Sequence, residues 1–282
     1  MTRALVLGGG GVAGVAWETG VLAGLAESGV DVLDADLVVG TSAGSTVAAQ
    51  VTGGVPLEEL LARQADPARQ RPELTPNADV TALLAHFAEA SGKAKDGPDL
   101  LRGIGELALF TNTVPEEDRL AVIRDRLPSH EWPARAVRIT AVDTATGELV
   151  VFDRDSGVSL VDAVAASCAV PGVWPAVTID GRRYMDGGIR SGENADLAAG
   201  FDTVLVLQVL ELSAGQHWGM DLDTQVRTLR AGGSAVEVIT ADEASAAAFT
   251  TNPLDPATRV PSALAGVAQG RAEAARIRAF WS

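Results

Sequence analysis

Gly40-Thr41-Ser42-Ala43-Gly44 is the stretch of this chain best suited to chemistry. An apolar run with β-branched residues, Leu37-Val38-Val39, enters it, and a small-residue run from Ser45 to Gln50 leaves it. Gly-x-Ser-x-Gly in that setting predicts a strand that turns at once into a helix. A serine on such a turn is forced into a strained backbone conformation with neighbours pressed close. Gly40 and Gly44 carry no Cβ and permit the approach. The Ser42 hydroxyl then projects at the positive end of the following helix, placed for nucleophilic attack on an acyl carbon.

A second glycine stretch lies near the start. Ala4 to Leu7 is a short apolar run, followed by glycine-rich Gly8 to Gly14 and a helical pattern that ends at Gly29. Gly9-x-Gly11-x-x-Gly14 fits two uses. It matches the dinucleotide fingerprint, and equally a loop whose bare N–H groups meet a developing oxyanion. A dinucleotide fold should end its second strand in Asp or Glu. Here that strand starts at Asp36 and ends in Gly40-Thr41-Ser42, with Asp31 and Asp34 ahead of it. The oxyanion use is therefore favoured.

Asp186-Gly187-Gly188 follows a strand-like run from Arg182 to Met185. An isolated Asp-Gly is an ordinary turn or helix cap, but beside an elbow and a glycine loop it is a candidate base. Asp180 and Glu193 read as turn and surface groups. Cys168 has no base patterned near it and reads as a buried structural thiol. His86 and His130 lack metal-ligand spacing and read as surface or helix-end residues. His217 sits in a polar stretch, 211–221, after the next strand. A triad in the order Ser42, Asp186, His217 therefore stays open.

The elements that must position these residues alternate in the α/β manner. Beyond the elbow, helices are expected over 57–67, 79–90 with Asp79 as N-cap, 100–110 and 116–127. A hairpin is expected over 135–152 and a helix over 160–166 capped by Ser159. Strands at 177–179 and 182–185 should turn on Asp180-Gly181. A buried strand over 203–209, a helix over 222–229 and a strand over 235–240 follow. Last comes a helix over 261–281, with Leu264, Val267, Ile277 and Phe280 as its packing face.

The chain has 282 residues, 47% hydrophobic and 21% charged, enough for a sizeable core. A net charge of −15 argues against nucleic acid and against docking on anionic membranes. One cysteine allows no internal disulfide, which fits a reducing compartment. With no signal-peptide pattern and no long apolar run, the expectation is a cytoplasmic protein with at most peripheral membrane contact.

Together the three motifs resemble the patatin-like phospholipase family. Gly9-Gly10-Gly11-Val12-Ala13-Gly14 matches its first motif and Gly40-Thr41-Ser42-Ala43-Gly44 its second. Residues 167–188, ending in Asp186-Gly187-Gly188, match its third, and the likeness spans roughly residues 3–210. The resemblance implies a three-layer α/β/α fold with a mostly parallel central sheet. It implies a single domain over 3–282, with a helical insertion at about 57–128 that would be a cap shaping the acyl site, plain structural packing being the other reading of those helices. It further implies a serine acyl hydrolase acting on lipids or small esters through a Ser42–Asp186 dyad, without metal or cofactor. Oxyanion donors would come from Gly9, Gly10, Gly11 and Val12, most of all Gly10 and Gly11. Asp has a reference pKa of about 4, so such a dyad needs a desolvated carboxylate in a short hydrogen bond to Ser42. One position departs: Ala13 stands where the family has a basic residue. A non-catalytic lipid-binding protein is the alternative that this departure keeps open.

Overall fold

The computed structural model describes residues 1–74, 76, 80–211, 220–250 and 252–282, and leaves the side chains of 80–84 undescribed. Asp79, His217 and Trp218 thus lie outside the described residues, as do the side chains of Val80, Leu83 and Leu84. In chain order run β1 (Arg3–Leu7), α1 (Gly11–Glu27), β2 (Leu37–Gly40), α2 (Ala43–Thr52), α3 (Leu57–Ala65), α4 (Val80–Lys93), α5 (Gly97–Phe110) and α6 (Glu116–Arg126). Then come β3 (Ala136–Asp143), β4 (Leu149–Phe152), α7 (Leu160–Ser167), β5 (Val177–Ile179), β6 (Arg182–Asp186) and β7 (Thr203–Gln208). α8 (Leu222–Ala231), β8 (Ala235–Thr240), α9 (Glu243–Phe249) and α10 (Arg259–Trp281) complete the chain.

The described strands form one eight-stranded sheet in the order β5-β6-β3-β2-β1-β7-β8, with β4 also paired to β3. β3, β2, β1, β7 and β8 are parallel; β4, β5 and β6 are antiparallel. Strand side chains alternate between faces. Leu5, Leu7, Val38, Leu205 and Leu207 join the core under α1, α2, α7 and α10. Ala4, Val6, Val39, Val204 and Val206 meet α8 and the 3₁₀ turn at 195–198 on the other face. Burial on both faces is why the strands read as unbroken apolar runs.

α1 and α10 pack by close backbone approach. A Cβ on Gly20 or Gly24 would lie 2.3 Å from the carbonyl oxygens of Ala263 and Val267, and one on Gly266 or Gly270 the same distance from those of Trp17 and Val21. The helices run parallel along this glycine seam. The packing face of α10 is therefore Ala263, Gly266, Val267, Gly270, Ala274 and Ile277, while Leu264 of the expected face is exposed. α9 was not anticipated from the sequence. Asp242 caps it by accepting from the Ser245 N–H at 2.8 Å, and Ser245 Oγ in turn accepts from Trp17 Nε1 on α1 at 3.0 Å.

Residues 57–128 do form four helices. α3 rests on α1 and α10, α5 presses Gly105 against the Thr144 carbonyl beyond β3, and α6 lies on α7. After α3, Glu73 enters a buried arginine cluster. Its carboxylate accepts from Arg119 at 2.7 Å and from Arg126, and lies 3.4 Å from Arg259. Arg119 stacks on Trp174, 3.9 Å from the ring centroid.

Candidate active site

Register brings the motifs to one level of the sheet. Leu7 pairs with Gly40 and Gly40 with Ile139, so the loops after β1 and β2 leave the sheet side by side. Two residues farther along β3, Ala141 pairs with Asp186 at the end of β6. Asp186 thus arrives level with Ser42. The site opens at the carboxyl ends of the parallel strands, where the chain order reverses between β2 and β7 on either side of β1.

Ser42 has φ 52° and ψ −114°, a left-handed conformation that a non-glycine residue keeps only when its surroundings enforce it. They do so from three sides. The Ser42 N–H donates to Ser167 Oγ at 2.9 Å, while Ser45 Oγ at 2.6 Å and Cys168 Sγ at 3.2 Å donate to its carbonyl. A Cβ on Gly44 would stand 2.1 Å from the Leu7 carbonyl oxygen, and one on Gly40 2.6 Å from that of Gly44. Both glycines are therefore required for the turn.

Ser42 Oγ donates to Asp186 Oδ2 at 2.6 Å, and Gly188 N–H donates to Asp186 Oδ1 at 2.7 Å. Ser42 is 8% and Asp186 3% exposed. Burial pushes the Asp186 carboxyl up to about 7, against the pull of its bonds from Ser42 and Gly188. Gly187 lies against Thr140, where a Cβ would fall 2.3 Å from Oγ1. Asn194 Nδ2 bridges the elbow and the Asp186 turn, donating to Thr41 Oγ1 at 3.1 Å and to the Gly187 carbonyl at 3.2 Å.

The glycine loop is brought to the same place, but its members differ. Gly9 faces Ser42, yet its N–H already donates to the Gly192 carbonyl at 2.8 Å. The N–H groups of Gly10, Gly11 and Val12 have no acceptor among the described residues. Gly10 and Gly11 line the cavity over Ser42, whereas Val12 lines a separate small cavity by the arginine cluster. Of the four expected donors, then, the Gly9 N–H is already engaged, while those of Gly10, Gly11 and Val12 are left without an acceptor among the described residues. Gly14 packs against Ala43, which docks α1 on α2. Ala13 is fully buried, and its N–H donates to the Pro253 carbonyl at 2.9 Å.

The cavity has a volume of about 560 Å³. Ser42, Asp186 and Gly9 to Gly11 form its floor, and its walls come from 188–193, the end of β7, the start of α8, and Pro253-Leu254. None of the described residues of 57–128 lines it. Glu193, expected at the surface, is 5% exposed and faces this cavity; burial raises its carboxyl to about 7. Cys168 is buried, with its thiol raised chiefly by that burial, and it braces Ser42 rather than reacting. His86 and His130 are exposed, and His130 Nε2 meets the Arg124 carbonyl at 2.9 Å. No described histidine touches Ser42 or Asp186. No cluster of three or more metal-ligating side chains occurs among the described residues, and none of their helices is long and apolar enough to cross a membrane.

Ser167, Ser45 and Asn194 are the supporting residues that sequence reasoning missed. The one local signal is Asn194 itself, whose φ of 52° suits a residue type that tolerates the left-handed region.

Comparison with known proteins gives the following. The chain resembles the structure of VipD from Legionella pneumophila at 14% identity and a TM-score of 0.47, covering 98% of this chain and 67% of that one. It resembles that of the type III effector protein ExoU at 15% identity and a TM-score of 0.39, covering 97% of this chain and 53% of that one. A structure of SpcU with ExoU from Pseudomonas aeruginosa gives 16% identity and a TM-score of 0.37, over 96% and 52%. The chain thus spans about half the length of the ExoU chains. No curated protein sequence matches it. The family model for patatin-like phospholipase matches residues 5–199, from β1 through the elbow and Asp186 to the 3₁₀ turn before β7. By that match the chain belongs to the patatin-like phospholipase family, and is a hydrolase.

Proposed function

We propose that the chain is a serine acyl hydrolase that cleaves carboxylic esters of lipids through a Ser42–Asp186 dyad. The observation that carries this reading is the 2.6 Å hydrogen bond from Ser42 Oγ to a largely buried carboxylate on the floor of the cavity. Ser42 Oγ attacks the ester carbonyl carbon and its proton passes to Asp186 Oδ2. The oxyanion forms against the free N–H groups of Gly10 and Gly11, at the positive end of α1. The C–O bond to the alcohol breaks, and Asp186 returns the proton to the departing oxygen. Water then attacks the acyl-enzyme, giving its proton to Asp186, and the carboxylic acid leaves as Ser42 Oγ regains a proton. A carboxyl near 7 takes and returns protons at neutral pH far more readily than an ordinary aspartate.

The test is hydrolysis of p-nitrophenyl esters of graded chain length by wild type, Ser42→Ala, Asp186→Asn and His217→Ala. The dyad requires the first two variants to lose about 10³-fold or more in kcat and the third to keep wild-type activity. Loss of activity in His217→Ala would replace the dyad with a triad. Equal inertness of all four across esters and lysophospholipids would leave a lipid-binding protein.

A further inference from the structure

The polar walls of the cavity over Ser42 are dominated by carboxylates. Besides Asp186, they carry Glu193, Glu211, Asp221 and Asp223. Glu211 and Asp223 stand exposed at its rim. Asp221 caps α8, and bonds from the hydroxyl and N–H of Thr224, each 2.8 Å, hold its carboxyl below the usual range. Arg190 is the one cation among the described lining residues, and it is already paired. Its Nη atoms donate to Asp196 at 2.8 and 3.0 Å and to Asn194 Oδ1 at 2.6 Å. The rest of the wall is apolar, with Leu210 and Met220 exposed at the mouth. Among the described residues the site thus presents an acyl-compatible surface with negative charge from Glu211, Asp221 and Asp223, and no free guanidinium or ammonium to meet an anion.

Resting on the hydrolase reading above, we propose that this cavity selects esters by charge. It accepts those whose alcohol portion is cationic or uncharged, and rejects those carrying a phosphate, sulfonate or carboxylate beside the scissile bond. Low-dielectric walls focus the field of the carboxylates on the alcohol half of the substrate, where like charge is costly. Glu211 and Asp223 are the specificity-determining residues best placed to be tested, since neither is buried.

Three butyryl esters of similar size make the test: those of choline, of 3,3-dimethylbutanol as its uncharged isostere, and of isethionate as the anion. At low ionic strength kcat/KM should be greatest for choline, and about tenfold or more lower for isethionate than for the neutral ester. Added salt should narrow the gap, and Glu211→Gln with Asp223→Asn should close most of it. Equal rates for the anionic and neutral esters overturn the proposal, as does a gap unchanged in the double variant. Binding supplies a readout independent of turnover. Calorimetric titration of Ser42→Ala should show hexyltrimethylammonium binding more tightly than hexanesulfonate. If that preference appears while no ester is turned over, the hydrolase reading fails and charge selection stands. If esters are turned over without charge ranking and both probes bind alike, charge selection fails and the hydrolase reading stands.

Discussion

Burial raises the Asp186 carboxyl, which suits the proposed role of base and also makes the residue a burden on the fold. Its folded carboxyl titrates near 7, above the value of about 4 in an unfolded chain. The folded state therefore holds this proton more tightly, and the destabilisation is absent below pH 4 and complete above pH 7. Two outcomes follow. If the proposed dyad acts, kcat/KM should rise with pH through about 7 and level off, as Asp186 loses its proton. Asp186→Asn should raise the melting temperature at pH 8, by up to about 4 kcal/mol in stability, and change it little at pH 4. Parallel thermal melts at the two pH values check the second. Ser42 and Asp186 are legible in the sequence because close backbone contacts dictate the glycines beside them, and those glycines mark the two residues out. Ser167 and Asn194 are not, because they reach Ser42 and Thr41 across 125 and 153 residues of chain with no local pattern.

At the scale of elements, apolar runs and turn residues reveal nearly every strand and helix, including the hairpin and the Ser159 cap. What they do not reveal is how α10 packs. Its sequence offers Leu264 and Phe280 as obvious apolar contacts, yet the helix approaches α1 through glycines, which carry no hydrophobic signal. Reading Gly20-x-x-x-Gly24 against Gly266-x-x-x-Gly270 would have exposed the seam. Gly266→Leu would drive a side chain into the Trp17 carbonyl, where a Cβ alone already falls at 2.3 Å. Such overpacking should cost about 3 kcal/mol or more. Leu264→Gln, on the exposed side of the same helix, should change stability within about 0.5 kcal/mol. Chemical denaturation of the two variants separates these faces.

Across the whole molecule the charge is −15, yet buried cations gather at one place. Burial alone would raise the Glu73 carboxyl, but Arg126, Arg119 and Arg259 outweigh that and hold it below its ordinary value. Glu73→Gln leaves those guanidiniums facing one another and should cost about 3–5 kcal/mol at pH 7. The deficit should shrink as pH falls through the lowered Glu73 value, because wild type then loses the same charge. Melts of the variant and wild type across acid pH check both statements. The pairing of α1 with α10 also sets an order on assembly. All three motifs have been synthesised once Gly188 is made, but the helix that bears the glycine loop cannot cover its bare face until α10 emerges. The nascent chain therefore carries Ser42 and Asp186 well before it can hold them in register, and activity should appear only once α10 has packed on α1.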